Sequence, residues 1–214
     1  YHLPEGLNED VAVFLSDILP TSHEIGVQYG DVKPGDNVVI VGAGPIGMSC
    51  LLTAQFYSPA NIIMVDVDDN RLEFAKTVGA THSINSAKED AIQRVLELTD
   101  GRGVDCAIEA VGLEATWNIC QHVVKEGGHI ANVGVHGKSV NFELNKLWIK
   151  NLTITTGLVN ANTTAMLLKT CCSGKLPLEK LATHHFKFNE FEKAYDVFKH
   201  AADEKALKVM IELN

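Results

Sequence analysis

Apolar residues along this chain follow two rhythms. Between residues 37 and 157, short unbroken apolar runs alternate with stretches whose apolar positions recur at helical spacing. The runs are NVVIV (37–41), NIIMVD (61–66), a weaker one at 81–84, VDCAIEA (104–110), GHIANVG (128–134) and LTITTG (152–157). Helical patterns fill 45–57, 69–78, 87–99 and 114–125, and 144–150 reads as helical or irregular. A strand covered on both faces needs apolar side chains at successive positions, and a half-exposed strand does not. Strand–helix alternation of this period predicts an α/β fold with a parallel, doubly wound sheet. Right-handed crossovers give it the order 3-2-1-4-5-6.

The flanks read differently. Val11, Phe14, Leu15 and Ile18 share one face of a predicted helix over 9–19, capped by Asn8 and ended by Pro20. A second short helix is expected from Thr21 to Gly30, with Thr21 and Glu24 at capping-box spacing. After residue 157 come a helix at 163–174, a connector at 175–177, a helix at 190–201 and a terminal strand at 207–213. This tail does not continue the strand–helix repeat. The expected division is therefore a dinucleotide-binding Rossmann domain over 20–158, with 1–19 and 159–214 belonging to a second, partial domain.

The chemistry that suggests a dinucleotide lies where the first strand meets its helix. Gly42-Ala43-Gly44-Pro45-Ile46-Gly47 has the form G-x-G-x-x-G between an apolar strand and a helix start. Gly42 permits the tight turn, Gly44 lets a pyrophosphate approach the backbone, and Gly47 lets helix and sheet pack closely. Free N–H groups and the helix dipole then favour the anion. Pro45 suits a first helical position because its missing N–H has no intrahelical partner to lose. Asp66 ends the second strand nineteen residues past Gly47, where a carboxylate accepts from the adenosine ribose hydroxyls and repels a 2′-phosphate. That favours NAD over NADP, with Arg71 as the nearby residue able to serve a phosphate.

The net charge of −9 excludes the basic face that nucleic-acid binding needs. No apolar run reaches the ~18 residues of a membrane span. Five cysteines without a C-x-x-C pair, most of them inside apolar runs, suit buried thiols in a reducing cytoplasm. The start at Tyr1, without an initiator methionine, reads as the middle of a longer protein.

The sequence resembles the zinc-dependent alcohol dehydrogenase group of the medium-chain dehydrogenases. The resemblance is carried by FLSDILPTSHEIGV (14–27), VKPGDNVVIVGAGPIG (32–47), IIMVDVDDNRLEFAKTVGAT (62–81), GRGVDCAIEAVG (101–112), VVKEGGHIANVGVHG (123–137) and ITTGLVN (154–160). It implies an enzyme that moves a hydride between a small alcohol and NAD, the carbonyl product being an aldehyde or ketone. A preceding catalytic domain would supply the other zinc ligands, so this portion alone is expected to be inactive. By the same similarity Asp17 stands at a zinc-ligand position, Thr21 near the nicotinamide and Arg71 near the adenosine ribose. Val111 and Gly112 would form the adenosine wall. Val133, Val135, Leu158 and Val159 would lie along the carboxamide, and Lys208 would reach the pyrophosphate. The strand at 152–157 would join subunits edge to edge in a homodimer or homotetramer.

Plainer roles accompany these. Asp17 reads equally as an exposed helix residue, and Thr21 as a helix cap. Cys171 and Cys172 suit packing, adjacent His184 and His185 point opposite ways in an extended segment, and His136 reads as a surface-loop residue. A stand-alone NAD-binding module and a zinc-free quinone or enoyl reductase are the competing functions. Asp17 speaks against the latter.

Overall fold

The computed structural model describes residues 1–213. Six strands form one parallel sheet: β1 (Asn37–Val41), β2 (Asn61–Asp66), β3 (His82–Asn85), β4 (Val104–Glu109), β5 (Val124–Asn132) and β6 (Thr153–Thr156). Their order is β3-β2-β1-β4-β5-β6, as the alternation predicted. Successive residues of β1 serve opposite layers. Val38 and Ile40 join one buried cluster, and Val39 and Val41 the other. Both faces of the strand are thus sealed from water, which is why its sequence shows no polar alternation.

The helices are α1 (Glu9–Phe14), α2 (Ile18–Thr21), α3 (Pro45–Ala54), α4 (Asp69–Thr77), α5 (Ala91–Leu98), α6 (Glu114–Val123), α7 (Leu144–Leu147), α8 (Thr164–Cys172) and α9 (Phe191–Lys199). Helices α3 and α4 bury Leu51 and Leu72 against one side of the sheet, in a cluster that Leu167 of α8 also joins. Helices α5 and α6 bury Val95, Trp117 and Cys120 against the other. Asp68 caps α4 through the N–H groups of Asn70 and Arg71, and Asp90 caps α5 through those of Ile92 and Gln93.

The first thirty residues depart from expectation. The predicted helix over 9–19 breaks after Phe14, and Pro20 lies inside α2 instead of ending a helix. At the third helical position a proline forfeits no intrahelical bond, because the first four N–H groups have no partner there. Thr21 is not a helix cap: its backbone is helical and its side chain makes no capping bond. The chain runs on into a π-helix over Ser22–Gln28, in which Tyr29 N–H donates to the Glu24 carbonyl. Such wide turns are rare and concentrate at functional sites. His23 in this segment is buried beside Phe56 and Tyr57, and burial pushes its imidazole below the ordinary value.

Two further differences lie elsewhere. Strand β5 begins at Val124, earlier than the expected 128, with a register irregularity between Val104 and Cys106 on β4. In the tail, β7 (Ala182–Lys187) pairs in parallel with β8 (Lys208–Glu212) as a separate two-stranded sheet.

Candidate functional site

In an open parallel sheet, ligands bind beyond the carboxyl ends of the strands where the strand order reverses. Here that point lies between β1 and β4. Val41 ends β1, and Gly42 turns the chain with φ +109. A Cβ on Gly42 would lie 2.5 Å from Val111 Cγ2, and one on Gly47 only 1.7 Å from the Gly42 carbonyl oxygen. Gly44 differs: a Cβ there would meet only Arg71 Nη1, at 3.9 Å. Two glycines are therefore required by the protein's own packing, and the third leaves a surface open. Pro45 opens α3 immediately beyond it, so the unpaired N–H groups of the first turn face that surface, Ile46 and Gly47 among them.

Asp66 is bound into this loop. One carboxylate oxygen accepts from Ala43 N–H at 2.6 Å, and the other from Val67 and Asp68 N–H at 2.8 and 3.0 Å. The acid at the end of β2 is thereby held beside the glycine turn. A cleft of about 340 Å³ opens between the two, lined by Gly42, Gly44, Asp66, Arg71 and Val111 among others. Its remaining walls include Val67, Ser86, Leu113 and Thr116, which pattern reading did not single out. Cleft, open glycine and carboxylate together fit a dinucleotide: amides for the diphosphate, an acid for the ribose, and apolar side chains for the base.

Beyond β4 and β5 the loops meet at close quarters. A Cβ on Gly112 would lie 2.3 Å from the Val135 carbonyl oxygen, so these loops touch backbone to backbone. Val133 is half-buried under them. Val135 and Leu158 are instead 90% and 88% exposed, and Val159 is half-buried. Apolar side chains this exposed at the strand ends offer a wall to a flat ring. Glu109, fully buried at the end of β4, accepts from Val111 N–H, Gly112 N–H and the Thr116 hydroxyl. An acid closing an otherwise apolar strand was the available signal for it. His136 is not a surface-loop residue: its side chain is 18% exposed and its Nε2 stands 3.4 Å from Glu109 Oε2.

The segment ahead of the sheet reaches the same edge. The Thr21 hydroxyl donates to Asp17 Oδ1 at 2.7 Å. Its neighbour Ser22 has the Ile18 carbonyl 2.7 Å and the Ile46 carbonyl 3.0 Å from its hydroxyl, which sets this pair close to the glycine turn. Glu24, expected to return a capping bond to Thr21, instead accepts from Asn160 N–H, Thr163 N–H and the Thr163 hydroxyl. Burial alone would raise its pKa. Those hydrogen bonds outweigh burial and hold it below the ordinary 4.5.

Lys208 opens β8 opposite Ala182 and does not line the cleft. Its neighbour Leu207 lines a shallower hollow that also includes Arg71. Among the described residues no group of three or more His, Cys, Asp or Glu side chains could hold a metal ion. Asp17 offers one donor, and a catalytic zinc takes three from protein. The described residues therefore do not complete a zinc site by themselves.

A family profile described as zinc-binding dehydrogenase matches residues 45–171. An alcohol dehydrogenase of Cupriavidus necator is 32% identical over 98% of this chain, which spans 58% of that protein. The solved structure of zinc dependent alcohol dehydrogenase 2 from Streptococcus pneumonia, in its apo form, superposes with a TM-score of 0.94 at 55% identity. It covers all of this chain, which covers 62% of it. A short chain alcohol dehydrogenase from E. coli, complexed with cofactor NADH, superposes with a TM-score of 0.89 at 25% identity, covering 98% of this chain and 61% of its own.

Proposed function

Because this chain belongs to the zinc-binding dehydrogenase family, we propose that it is the NAD-binding portion of an oxidoreductase that transfers a hydride between a small alcohol and the nicotinamide ring. The observation that carries this reading is the Asp66 carboxylate bound to Ala43 N–H at 2.6 Å, beside a Gly44 whose outer side is open.

Bound NAD supplies the hydride acceptor, and the chain supplies its placement. The amides of the first α3 turn take the diphosphate. Asp66 takes the ribose hydroxyls and disfavours a phosphate on them, with Arg71 at the margin of the same cleft. Val111 and Gly112 flank the adenosine end. Val133, Val135, Leu158 and Val159 would lie along the carboxamide and keep water from the ring. The Thr21 hydroxyl donates a hydrogen bond to Asp17 and keeps lone pairs to accept from a substrate hydroxyl, so it can relay the alcohol proton.

The same reading places Asp17 among the zinc donors of the full-length protein, the others coming from outside residues 1–213. Like β3, strand β6 is one of the two edge strands of the sheet. Ile154 on that strand and Trp148 and Ile149 just before it are exposed apolar side chains, which supports an edge-to-edge homodimer or homotetramer. No described helix is long and apolar enough to cross a membrane. All five cysteines are free thiols, which supports a reducing, cytoplasmic setting.

The test is titration calorimetry of NAD and NADP into the purified chain and its Asp66→Ala variant. The reading expects NAD to bind more tightly than NADP, and the substitution to remove that preference.

A further inference from the structure

Glu109 is fully buried, and its two oxygens are treated unequally. Oε1 accepts three hydrogen bonds, from Val111 N–H, Gly112 N–H and the Thr116 hydroxyl. Oε2 accepts none, and a Cβ on Gly134 would come within 2.2 Å of it. A buried carboxylate oxygen left without a donor is costly, so a nearby N–H matters to it. His136 Nε2 stands 3.4 Å from Oε2, while the ring's Nδ1 is buried without a hydrogen-bond partner.

The proton on that ring can be located from its other neighbour. Asn132 Nδ2 donates to the Gly134 carbonyl at 2.9 Å, so its Oδ1 is the atom that faces His136 Nε2 at 2.8 Å. Two acceptors flank Nε2, and therefore Nε2 carries a hydrogen. The N–H is aimed at Asn132, with Glu109 Oε2 beside it at 3.4 Å. Backbone bonds converge on the same point, because Val133 and Gly134 N–H both donate to the Glu109 carbonyl. One acidic residue thus fastens the turn after β4 and the turn after β5.

We propose that His136 is a positioning residue for the dinucleotide. By placing its N–H between Asn132 Oδ1 and the otherwise unpartnered Glu109 Oε2 it holds the turns at 110–113 and 133–137 at the spacing that the dinucleotide requires. This rests on the NAD-binding reading above. His136 touches no reacting atom in this account. Its contribution passes through Glu109 to Val111 and Gly112, and through its own turn to Val135.

The test compares NAD titrations of the unmodified protein, His136→Gln and His136→Leu, each with a thermal unfolding curve. Glutamine restores an N–H donor near the Nε2 position, and leucine fills the space without one. The expected result is about tenfold weaker NAD binding for leucine and substantial recovery for glutamine. Equal affinity of the leucine variant overturns the proposal, and so does equal weakening by both, which would mark a packing role. Failure of the unmodified protein to take up NAD overturns the functional reading itself and is distinct from either result. Nitrogen NMR of the unmodified protein needs no variant: a proton on His136 Nε2 supports the proposal, and a bare Nε2 overturns it.

Discussion

Thr21 and Asp17 lie one helical turn apart, and the threonine hydroxyl donates to the aspartate carboxylate at 2.7 Å. An i, i+4 bond across the start of α2 leaves both side chains on one face, toward the sheet edge where the glycine turn sits. The Ser22 hydroxyl stands 3.0 Å from the Ile46 carbonyl, beside the glycine turn. Thr21 Oγ1 is thus an acceptor whose own proton already has a destination. In the full-length protein, Thr21→Val is expected to lower kcat by about a hundredfold and leave NAD affinity nearly unchanged, whereas Thr21→Ser retains most activity. Steady-state kinetics with a separate NAD titration checks both halves.

The glycines of the turn separate packing from binding. Gly47→Ala drives a methyl group into the Gly42 carbonyl, a contact of 1.7 Å that neither backbone segment can yield. A loss of about 3 kcal/mol in unfolding free energy is expected. Gly44→Ala meets no atom nearer than 3.9 Å, at a backbone φ of −75 that alanine adopts freely. Its unfolding curve should match the parent within about 0.5 kcal/mol. Its NAD affinity should fall about tenfold, because the methyl group occupies the diphosphate's approach. Urea unfolding and calorimetry on the same two proteins distinguish the effects.

Glu24 links stability to pH. Its hydrogen bonds to Asn160 and Thr163 hold its folded-state pKa below 4.5, the ordinary value of an unfolded glutamate. A group depressed in this way contributes stability that is fully present above pH 4.5 and is lost as pH falls through the folded value. Glu24→Gln is therefore expected to cost about 1–2 kcal/mol at pH 7. The gap from the parent should close as the pH is taken well below 4.5. Denaturant unfolding across that range measures the gap directly.

Thiol reactivity should divide the five cysteines. Burial pushes Cys50 up to about 12 and Cys171 up to about 11, and raises Cys106 and Cys120 as well, while Cys172 is exposed. One thiol should react promptly with a disulfide reagent at pH 8, and the rest only after unfolding. The Cys172→Ser variant should lose the prompt phase.

The sheet was legible because burial on both faces writes itself into the strands, as Val38 through Val41 show. The glycine turn and Asp66 were legible because each needs a particular residue type at a particular distance from a strand end. Pro20 misled because a proline at the third helical position reads the same as one that stops a helix. The partners of Glu24 lie beyond residue 159, so its capping-box spacing with Thr21 was the nearer but incorrect explanation. Glu109 and His136 sit on different strand ends, and nothing local joins an acid in an apolar strand to a histidine in a later turn. The consecutive polar residues Thr183, His184 and His185 concealed strand β7, which pairs with the distant β8.

The most direct measurement is the affinity of the purified chain for NAD with Asp66 intact and with Asp66→Ala. The carboxylate holds the turn through Ala43 and offers its remaining lone pairs to the ribose. The account predicts saturable NAD binding that weakens about 10- to 100-fold on substitution. Absence of NAD uptake by the unmodified chain, or an affinity unchanged by the loss of Asp66, would contradict it.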